Sequence, residues 1–161
     1  LYTRNRMIRD EVSAHLASLI AGDGITGDVD VSPTFPGEKY TTSEMIFGDS
    51  TTGVVTFPYG MEPPRIQRDN AELTFVVRIT AREDMATAKA RCQELANLVV
   101  GILAGADLLG FGTDGEKVTD TNPDGQGIQV QTREGESNKG VPLALAEITV
   151  PIETQTTNTE G

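Results

Sequence analysis

Cysteine, histidine, tryptophan and basic residues are all scarce in this sequence, and each scarcity excludes a class of function. The 161 residues include one cysteine, one histidine and no tryptophan. A single cysteine excludes an intramolecular disulfide framework, and one histidine excludes a zinc site of the usual cysteine and histidine kind within one chain. Aromatic residues make up 5% of the chain. Few side chains are therefore available on which bases or sugars could stack.

Acidic residues outnumber basic residues by 24 to 13, which gives a formal net charge of −11. At long range this charge opposes attraction to nucleic acid or to an anionic membrane, so any DNA contact would have to be local. No apolar run approaches the ~20 residues that span a bilayer, and the N-terminus lacks the charged start and apolar core of a signal peptide. We therefore expect a cytoplasmic protein with no membrane partner.

The strongest structural pattern runs from Ala71 to Leu103. Alternation of apolar and polar side chains predicts a strand over residues 71–82. Its apolar face carries Leu73, Phe75, Val77, Ile79 and Ala81, and its polar face carries Glu72, Thr74, Arg78 and Thr80. The helix that follows has an apolar stripe at three- and four-residue spacing, made of Ala88, Cys92, Leu95, Ala96, Val99, Ile102 and Leu103. The pattern predicts a strand and a helix packed in two layers.

The rest of the sequence predicts one further helix, several short strands and a long final strand. The helix covers residues 1–21, and the strands cover residues 29–31, 43–48, 53–57, 116–121, 126–133 and 144–153. Turn residues at 49–52 and 122–125 are interpreted as the turns of two hairpins, and residues 134–140 as a mobile loop.

These elements predict an α+β fold. It has a mixed, mostly antiparallel sheet, two amphipathic helices packed on one face, and long loops. A chain of 161 residues suits one domain, which we place at residues 1–153. Residues 154–161 are polar, and we expect them to form a flexible C-terminal tail.

Residues 58–68 contain three prolines and a glycine, which predicts an irregular loop. Apolar side chains on this loop either tuck under their own domain or form a subunit contact, and both interpretations stay open. We therefore take this loop and the polar face of the strand as a candidate subunit or partner interface. It comprises Tyr59, Met61, Glu62, Pro63, Pro64, Arg65, Ile66, Arg68, Glu72, Thr74, Arg78 and Thr80.

Two motifs imitate ligand sites. The letters G-x-G-x-x-G occur at Gly110 to Gly115, but they follow a helix, whereas a dinucleotide fingerprint joins a strand to a helix. The letters D-x-N-x-D-G start at Asp120, but Gln131 stands where a calcium loop has its bidentate glutamate. We interpret the first as a glycine-rich exit from the helix and the second as a turn.

No constellation in the sequence predicts catalysis. His15 lies at the edge of the apolar stripe of the first helix, and Cys92 lies within the stripe of the second, so both are interpreted as packing residues. The neighbouring acids Glu83 and Asp84 suit the first turn of a helix. We predict no catalytic, cofactor-binding or metal-binding residues and interpret the chain as non-enzymatic.

The element order, the size, the acidity and one strand-helix unit resemble the tail terminator (tail-completion) proteins of long-tailed bacteriophages. The resemblance covers about residues 1–153, and the unit runs from Leu73-Thr74-Phe75-Val76-Val77-Arg78-Ile79 to Leu95-Ala96-Asn97-Leu98-Val99-Val100. It implies a ring, usually of six subunits, that caps the tail tube, stops its growth and presents a surface to the head-neck connector. DNA would pass through the lumen without specific binding, and the protein would lie in the virion after assembly in the host cytoplasm.

Two alternatives stay open. One is a head-tail connector or neck protein of the same class. The other, from a different class, is a small acidic metal-dependent hydrolase or a ligand-binding domain.

Overall fold

The computed structural model describes residues 2–22, 29–38, 43–49, 52–56, 65–113, 115–123 and 125–158. These residues contain two helices, α1 (Tyr2–Gly22) and α2 (Met85–Ala104). They also contain eight strands: β1 (Val29–Ser32), β2 (Glu44–Gly48), β3 (Thr52–Thr56), β4 (Arg65–Thr80), β5 (Gly112–Thr113), β6 (Glu116–Asp120), β7 (Gln129–Glu136) and β8 (Pro142–Asn158).

The described strands form one sheet around the long antiparallel pair β4 and β8. The strand order is β1-β2-β4-β8-β6-β5, with β3 also paired to β4 and β7 also paired to β8. Every residue of β4 has a partner in β8, from Arg65 opposite Asn158 to Thr80 opposite Leu143. Only β1 and β2 run parallel; the other pairs are antiparallel. The predicted α+β fold with a mixed, mostly antiparallel sheet is confirmed.

Both helices pack on the same face of the sheet. Leu16 and Ile20 of α1 and Leu95 of α2 are fully or almost fully buried, together with Leu73, Phe75, Val77 and Ile79 of the predicted apolar face. Ala81, the last predicted member, follows the end of β4 at Thr80 and is only partly buried. The matching face of β8 is also buried, and it consists of Ala144, Ala146, Ile148, Val150 and Ile152. The predicted stripe of α2 is confirmed, although Ile102 is only partly buried. The opposite side of the sheet is called the second face below.

The two central strands are longer than the alternation predicts. β4 begins at Arg65, so the last residues of the predicted irregular loop belong to a strand. β8 continues to Asn158, so the predicted flexible tail is wrong for residues 154–158. Thr154 is fully buried, and it pairs with Asp69 on one side and Val118 on the other. Because this part of β8 is paired with β4 on one edge and with β6 on the other, its polar residues also belong to the strand.

Neither predicted hairpin forms. β2 and β3 both pair antiparallel with β4, so they run in the same direction along one edge of it. β6 and β7 do the same along the outer edge of β8. The turn at Asn122 to Gly125 is present, but a second positive-φ glycine follows at Gly127 and the chain resumes its direction. A true hairpin joins β7 to β8, and its turn replaces the predicted mobile loop: the Ser137 N–H donates to the Val141 carbonyl at 2.9 Å.

The element order occurs twice along the chain. Residues 2–80 contain α1-β1-β2-β3-β4 and residues 85–158 contain α2-β5-β6-β7-β8. In each half, the second of the four strands lies beside the C-terminal part of the long strand and the third lies beside its N-terminal part. The halves differ at the first strand, since β1 is parallel to β2 while β5 is antiparallel to β6. Because the third strand of each half lies beside the N-terminal part of its long strand, β3 and β7 occupy equivalent positions on opposite edges of the central pair.

Gly48 gives a direct test of how closely the chain packs at the end of β2. A Cβ atom placed there would lie less than 3.0 Å from the backbone carbonyl oxygen of Pro33. We therefore expect Gly48→Ala to destabilise the fold by about 1–3 kcal/mol, because backbone must move. Gly101→Ala is the control: its Cβ would meet no atom within 4 Å, and alanine favours a helix by ~0.5–1 kcal/mol. Urea unfolding measures both, and equal midpoints would contradict the packing.

Candidate interaction surface

The second face of the sheet has a closed half and an open half. The closed half surrounds the C-terminal part of β4, where a small apolar cluster is buried although no helix lies over it. The cluster consists of Met45, Phe47, Val76, Leu143 and Leu145. The sequence marks this half only weakly, since Val76 interrupts the polar face of β4 and Leu145 interrupts that of β8. Something other than a helix must cover these side chains.

One element of this cover is the segment 33–38, here called the crossover segment. Adjacent parallel strands cannot be joined by a tight turn, so the chain between β1 and β2 must cross back over the sheet. The ring of Phe35 lies against that of Phe47, with centroids 4.9 Å apart and planes inclined by 47°. Phe35 remains 39% exposed on its outer side. The crossover segment therefore contributes to the cover of this half of the second face.

Arg78 lies beneath the crossover segment and is only 6% exposed. Its Nη1 and Nη2 atoms donate to the two carboxylate oxygens of Glu38, at 3.1 and 2.6 Å. Its guanidinium carbon lies 5.3 Å from the centroid of the Phe35 ring. Its Nε has no hydrogen-bond partner among the described residues. A buried cation is tolerated when a carboxylate neutralises it in a two-pronged geometry, as Glu38 does here.

The position of Glu38 is set from two sides. The hydrogen bond from Arg78 lowers the pKa of the Glu38 carboxyl below its usual value, and the positive charge of Arg78 acts in the same direction against partial burial. The backbone N–H of Asn138 and the charge of Lys139 lower that pKa further. Asn138 and Lys139 belong to the turn between β7 and β8. The carboxylate therefore links the crossover segment to both central strands.

The predicted interface residues fall into four groups. Arg78 is enclosed within its own chain, and Thr80 is half-buried opposite Leu143. Glu72 and Arg68 are exposed and Thr74 is half-buried, so these three belong to the open half of the second face. Arg65 and Ile66 lie in β4 and not in an irregular loop, which corrects that prediction. The remaining members lie outside the described residues: Tyr59, Met61, Glu62, Pro63 and Pro64.

The polar side of α2 is occupied by contacts within the chain. Arg91 donates to both carboxylate oxygens of Glu44 on β2, at 2.7 and 3.1 Å, and to Glu94 at 3.1 Å. The bond to Glu44 raises the pKa of Arg91 above its ordinary value. Lys89 forms an ion pair with Glu134 on β7. These pairs fix α2 across the sheet, and spacing along the helix alone could not identify their partners.

Asp84 caps α2 and does not lie in its first turn. Its carboxylate accepts from the backbone N–H of Thr87 at 2.6 Å and from the Thr87 hydroxyl at 3.0 Å, which lowers the pKa of Asp84.

A groove of about 480 Å³ lies beside this end of the helix. A second groove, of about 210 Å³, lies between α2 and β7 and is lined by Lys89, Cys92, Gln93, Thr132, Arg133, Glu134, Ala144 and Leu145.

The residues singled out as mimics of ligand sites have structural roles. Asp120 and Asn122 accept backbone N–H groups within their own turn, from Asn122 at 2.9 Å and from Gly127 at 2.7 Å. In the described part of the glycine motif, Gly112 lies in β5 and the motif follows α2, as expected. Across the described ranges, no group of three or more histidine, cysteine, aspartate or glutamate side chains is placed to hold a metal ion.

His15 and Cys92 are packed as predicted. The ring of His15 lies 5.0 Å from that of Phe111, at an inclination of 31°. Cys92 is 2% exposed, and burial raises the pKa of its thiol to about 11. Its Sγ lies 3.8 Å from the carbonyl oxygen of Val77. The thiol is therefore protonated and inaccessible at neutral pH.

Among the described residues, neither helix is long and apolar enough to cross a membrane. No protein-family model matches this sequence, and no curated protein matches it either. The function is therefore inferred from the geometry of the described residues.

Removal of the Glu38 carboxylate tests the buried ion pair. We expect Glu38→Gln to destabilise the protein by about 1–3 kcal/mol at pH 7, because Arg78 would stay buried without a counter-charge. Glu72→Gln removes a carboxylate from the open half of the same face, so it serves as the matched control and should change stability by less than ~0.5 kcal/mol. Urea unfolding at pH 7 compares the three proteins.

The lowered pKa of Glu38 predicts that the stability lost in Glu38→Gln depends on pH. The pKa of Glu38 is lower in the folded protein than its ordinary value of 4.5. The ion pair therefore contributes its full stability above pH 4.5, and this contribution is lost as the pH falls through the folded-state pKa. The difference in stability between wild type and Glu38→Gln should narrow as the pH is lowered below 4.5. A constant difference from pH 7 down to pH 3 would contradict the pairing.

Proposed function

We propose that this protein is a tail terminator of a long-tailed bacteriophage. It would form a ring that caps the last ring of the tail tube, stop tube polymerisation and offer a joining surface to the head-neck connector. The observation that carries the proposal is that the described chain presents several different open surfaces. These are the outer edge of β3, the outer edge of β7 and the open half of the second face. A ring built by a cyclic operator requires two different patches on each subunit, and a cap requires a further one.

The open half of the second face suits the contact with the tube or the connector. Arg68, Asn70 and Glu72 are exposed on consecutive outward positions of β4. Neighbouring positions of β8 on this face are Glu153 and Gln155, both half-buried. The surface is polar and carries charges of both signs, whereas obligate interfaces are more hydrophobic, so it suits a contact between separately folded partners.

The charge of the whole chain fits a channel for DNA. A subunit with a net charge of −11 repels a phosphate backbone at long range. A ring of such subunits would let DNA pass through its lumen without retaining it. This supports the proposal for a ring that lies between the head and the tail tube.

Assembly is the measurement that tests the proposal. We expect the purified protein to form rings, either alone or when tail tubes are added, with a mass that is a whole multiple of 17.2 kDa by light scattering. Images should show a ring on one end of each tube, and capped tubes should stop growing. A chain that remains monomeric when tubes are present would sink the terminator proposal. Binding to the head connector without binding to tubes would favour a neck protein instead.

A pair of charge reversals locates the tube contact. Glu72→Lys changes the open half of the second face, and we expect it to reduce the fraction of capped tubes several-fold without changing stability. Glu11→Lys makes the same change of charge on an exposed position of α1, on the other side of the sheet, and should leave capping unchanged. Capped ends are counted in images at equal protein concentration. Equal loss in both variants would point to net charge and not to this surface.

A further inference from the structure

We propose that the free edge of β7 is the site at which a second copy of this chain adds its β3 as the next strand of the sheet. The inference rests on the proposed ring function and deepens it, because it names the two elements that join one subunit to the next. β7 pairs only with β8, and its other edge has no partner strand among the described residues. Seven of its eight residues are exposed.

β7 lacks the devices that usually keep an edge strand from pairing. Such devices are bulges, prolines, very short length and charged side chains that guard the open edge. β7 contains no proline, and its register with β8 is unbroken from Gln129 opposite Thr149 to Glu136 opposite Pro142. An edge of eight residues in regular register is a template for another strand.

Two of the three charged side chains of β7 are directed away from the free edge. Arg133 donates to a carboxylate oxygen of Glu147 on β8, at 2.9 and 3.2 Å. Glu134 forms its ion pair with Lys89 on α2. Both partners lie on the inner side of β7, so these charges are neutralised within the chain. Glu136 lies at the end of the strand, where it guards little of the edge.

β3 has the properties of the matching strand. Its sequence, Thr52–Thr56, contains no charged residue, and it pairs with β4 in unbroken register. Its other edge has no partner strand in the part of the chain that the structure describes. Two copies that each carry a net charge of −11 must associate where the local charge is small. An uncharged strand placed against a strand with internally paired charges meets this condition.

The directions of the strands also fit. Pairing connects β3 to β4, β4 to β8 and β8 to β7, and each of these three pairs is antiparallel. Because these four strands alternate in direction, β7 and β3 run in opposite directions. A second copy in the same orientation therefore presents an antiparallel β3 to β7. Copies that use two different edges form a heterologous contact, which closes into a ring when the rotation from one copy to the next divides a full turn.

The two edges lie at different levels along the central strands. β3 lies beside Arg68–Glu72 of β4, whereas β7 lies beside residues 142–149 of β8, of which Thr149 pairs with Thr74 and Leu143 with Thr80. Each added copy is thus displaced along the strand direction. Closure without an axial step requires strands inclined to the ring axis, as in any staggered barrel. The added strand would also cover Val130, which is 41% exposed beside the groove between α2 and β7.

Engineered cysteines test this contact. Val54 of β3 and Gln131 of β7 occupy register positions on the second face, because they pair with Asn70 and Glu147. Within one chain they are separated by three strand spacings, ~14 Å, across the sheet and by six residues, ~20 Å, along β8 from Glu153 to Glu147, which is too far for a disulfide. The double variant Val54→Cys with Gln131→Cys should therefore form a ladder of covalent oligomers on mild oxidation, and reductant should remove it. Gln129→Cys replaces Gln131→Cys in a second double variant, which allows for a register shift of two residues.

The matched control is Val54→Cys with Thr132→Cys. Thr132 is exposed on the same strand but points to the helix side, so its thiol would face away from the partner and the ladder should be lost. Wild-type protein should give no ladder, since Cys92 is buried. Covalent dimers from Gln131→Cys alone would show β7 paired with β7 and would overturn the inference.

The possible failures can be separated. Rings that form in light scattering without any ladder from either double variant would overturn the contact between β3 and β7 while leaving the ring function standing. A chain that stays monomeric with tubes present would overturn both. Circular dichroism and urea unfolding of each double variant show whether it is folded, and a third double variant, Thr52→Cys with Gln129→Cys, samples the same face if Val54→Cys proves unstable.

Discussion

The continuous pairing of β4 with β8 is the constraint on which the rest of the structure depends. Sixteen residues of β4 are each held opposite a residue of β8, so the side chains of both strands are sorted together onto two faces. A slip of one residue would exchange Phe75 and Val77 for Thr74 and Arg78 in the core. The cost of burying those polar groups fixes the register. The helices, the crossover segment and the short strands then take their positions from the two faces and two edges of this pair.

Each face of that pair is closed by a different means. On one face, two amphipathic helices bury the apolar side chains, as their spacing predicts. On the second face, the parallel arrangement of β1 and β2 forces the intervening chain across the sheet, and the crossover segment buries Arg78 as a consequence. Arg78 then requires Glu38, because a buried guanidinium without a carboxylate would cost more than the apolar contacts around it supply. The parallel pairing of β1 with β2 thus determines that Arg78 of the central strand β4 is buried and requires a carboxylate partner.

The sequence predicts the faces of this fold well and its edges poorly. Alternation over residues 71–80 and 144–152, and the stripe from Ala88 to Leu103, follow from the side chain's own chemistry, so they can be found locally. The choice of a neighbouring strand depends on backbone groups, which are the same in every residue. For that reason, the sequence predicts hairpins where short strands lie end to end along β4 or β8. The burial of Arg78 was missed for a related reason, since its cover comes from a segment about forty residues away in sequence.

If copies join edge to edge as proposed, the arrangement of the two faces extends to the whole ring. Subunits related by a cyclic operator would carry all their helices on one side of a continued sheet and all their second faces on the other. The open polar halves would then adjoin one another, while in the closed halves Phe35 would be the apolar side chain left exposed on the crossover segment. Such a ring would offer a repeating polar surface to a tube or a connector without exposing a large apolar patch before assembly. The buried pair of Arg78 and Glu38 would serve that end, because it holds the crossover segment over the apolar cluster in the free subunit.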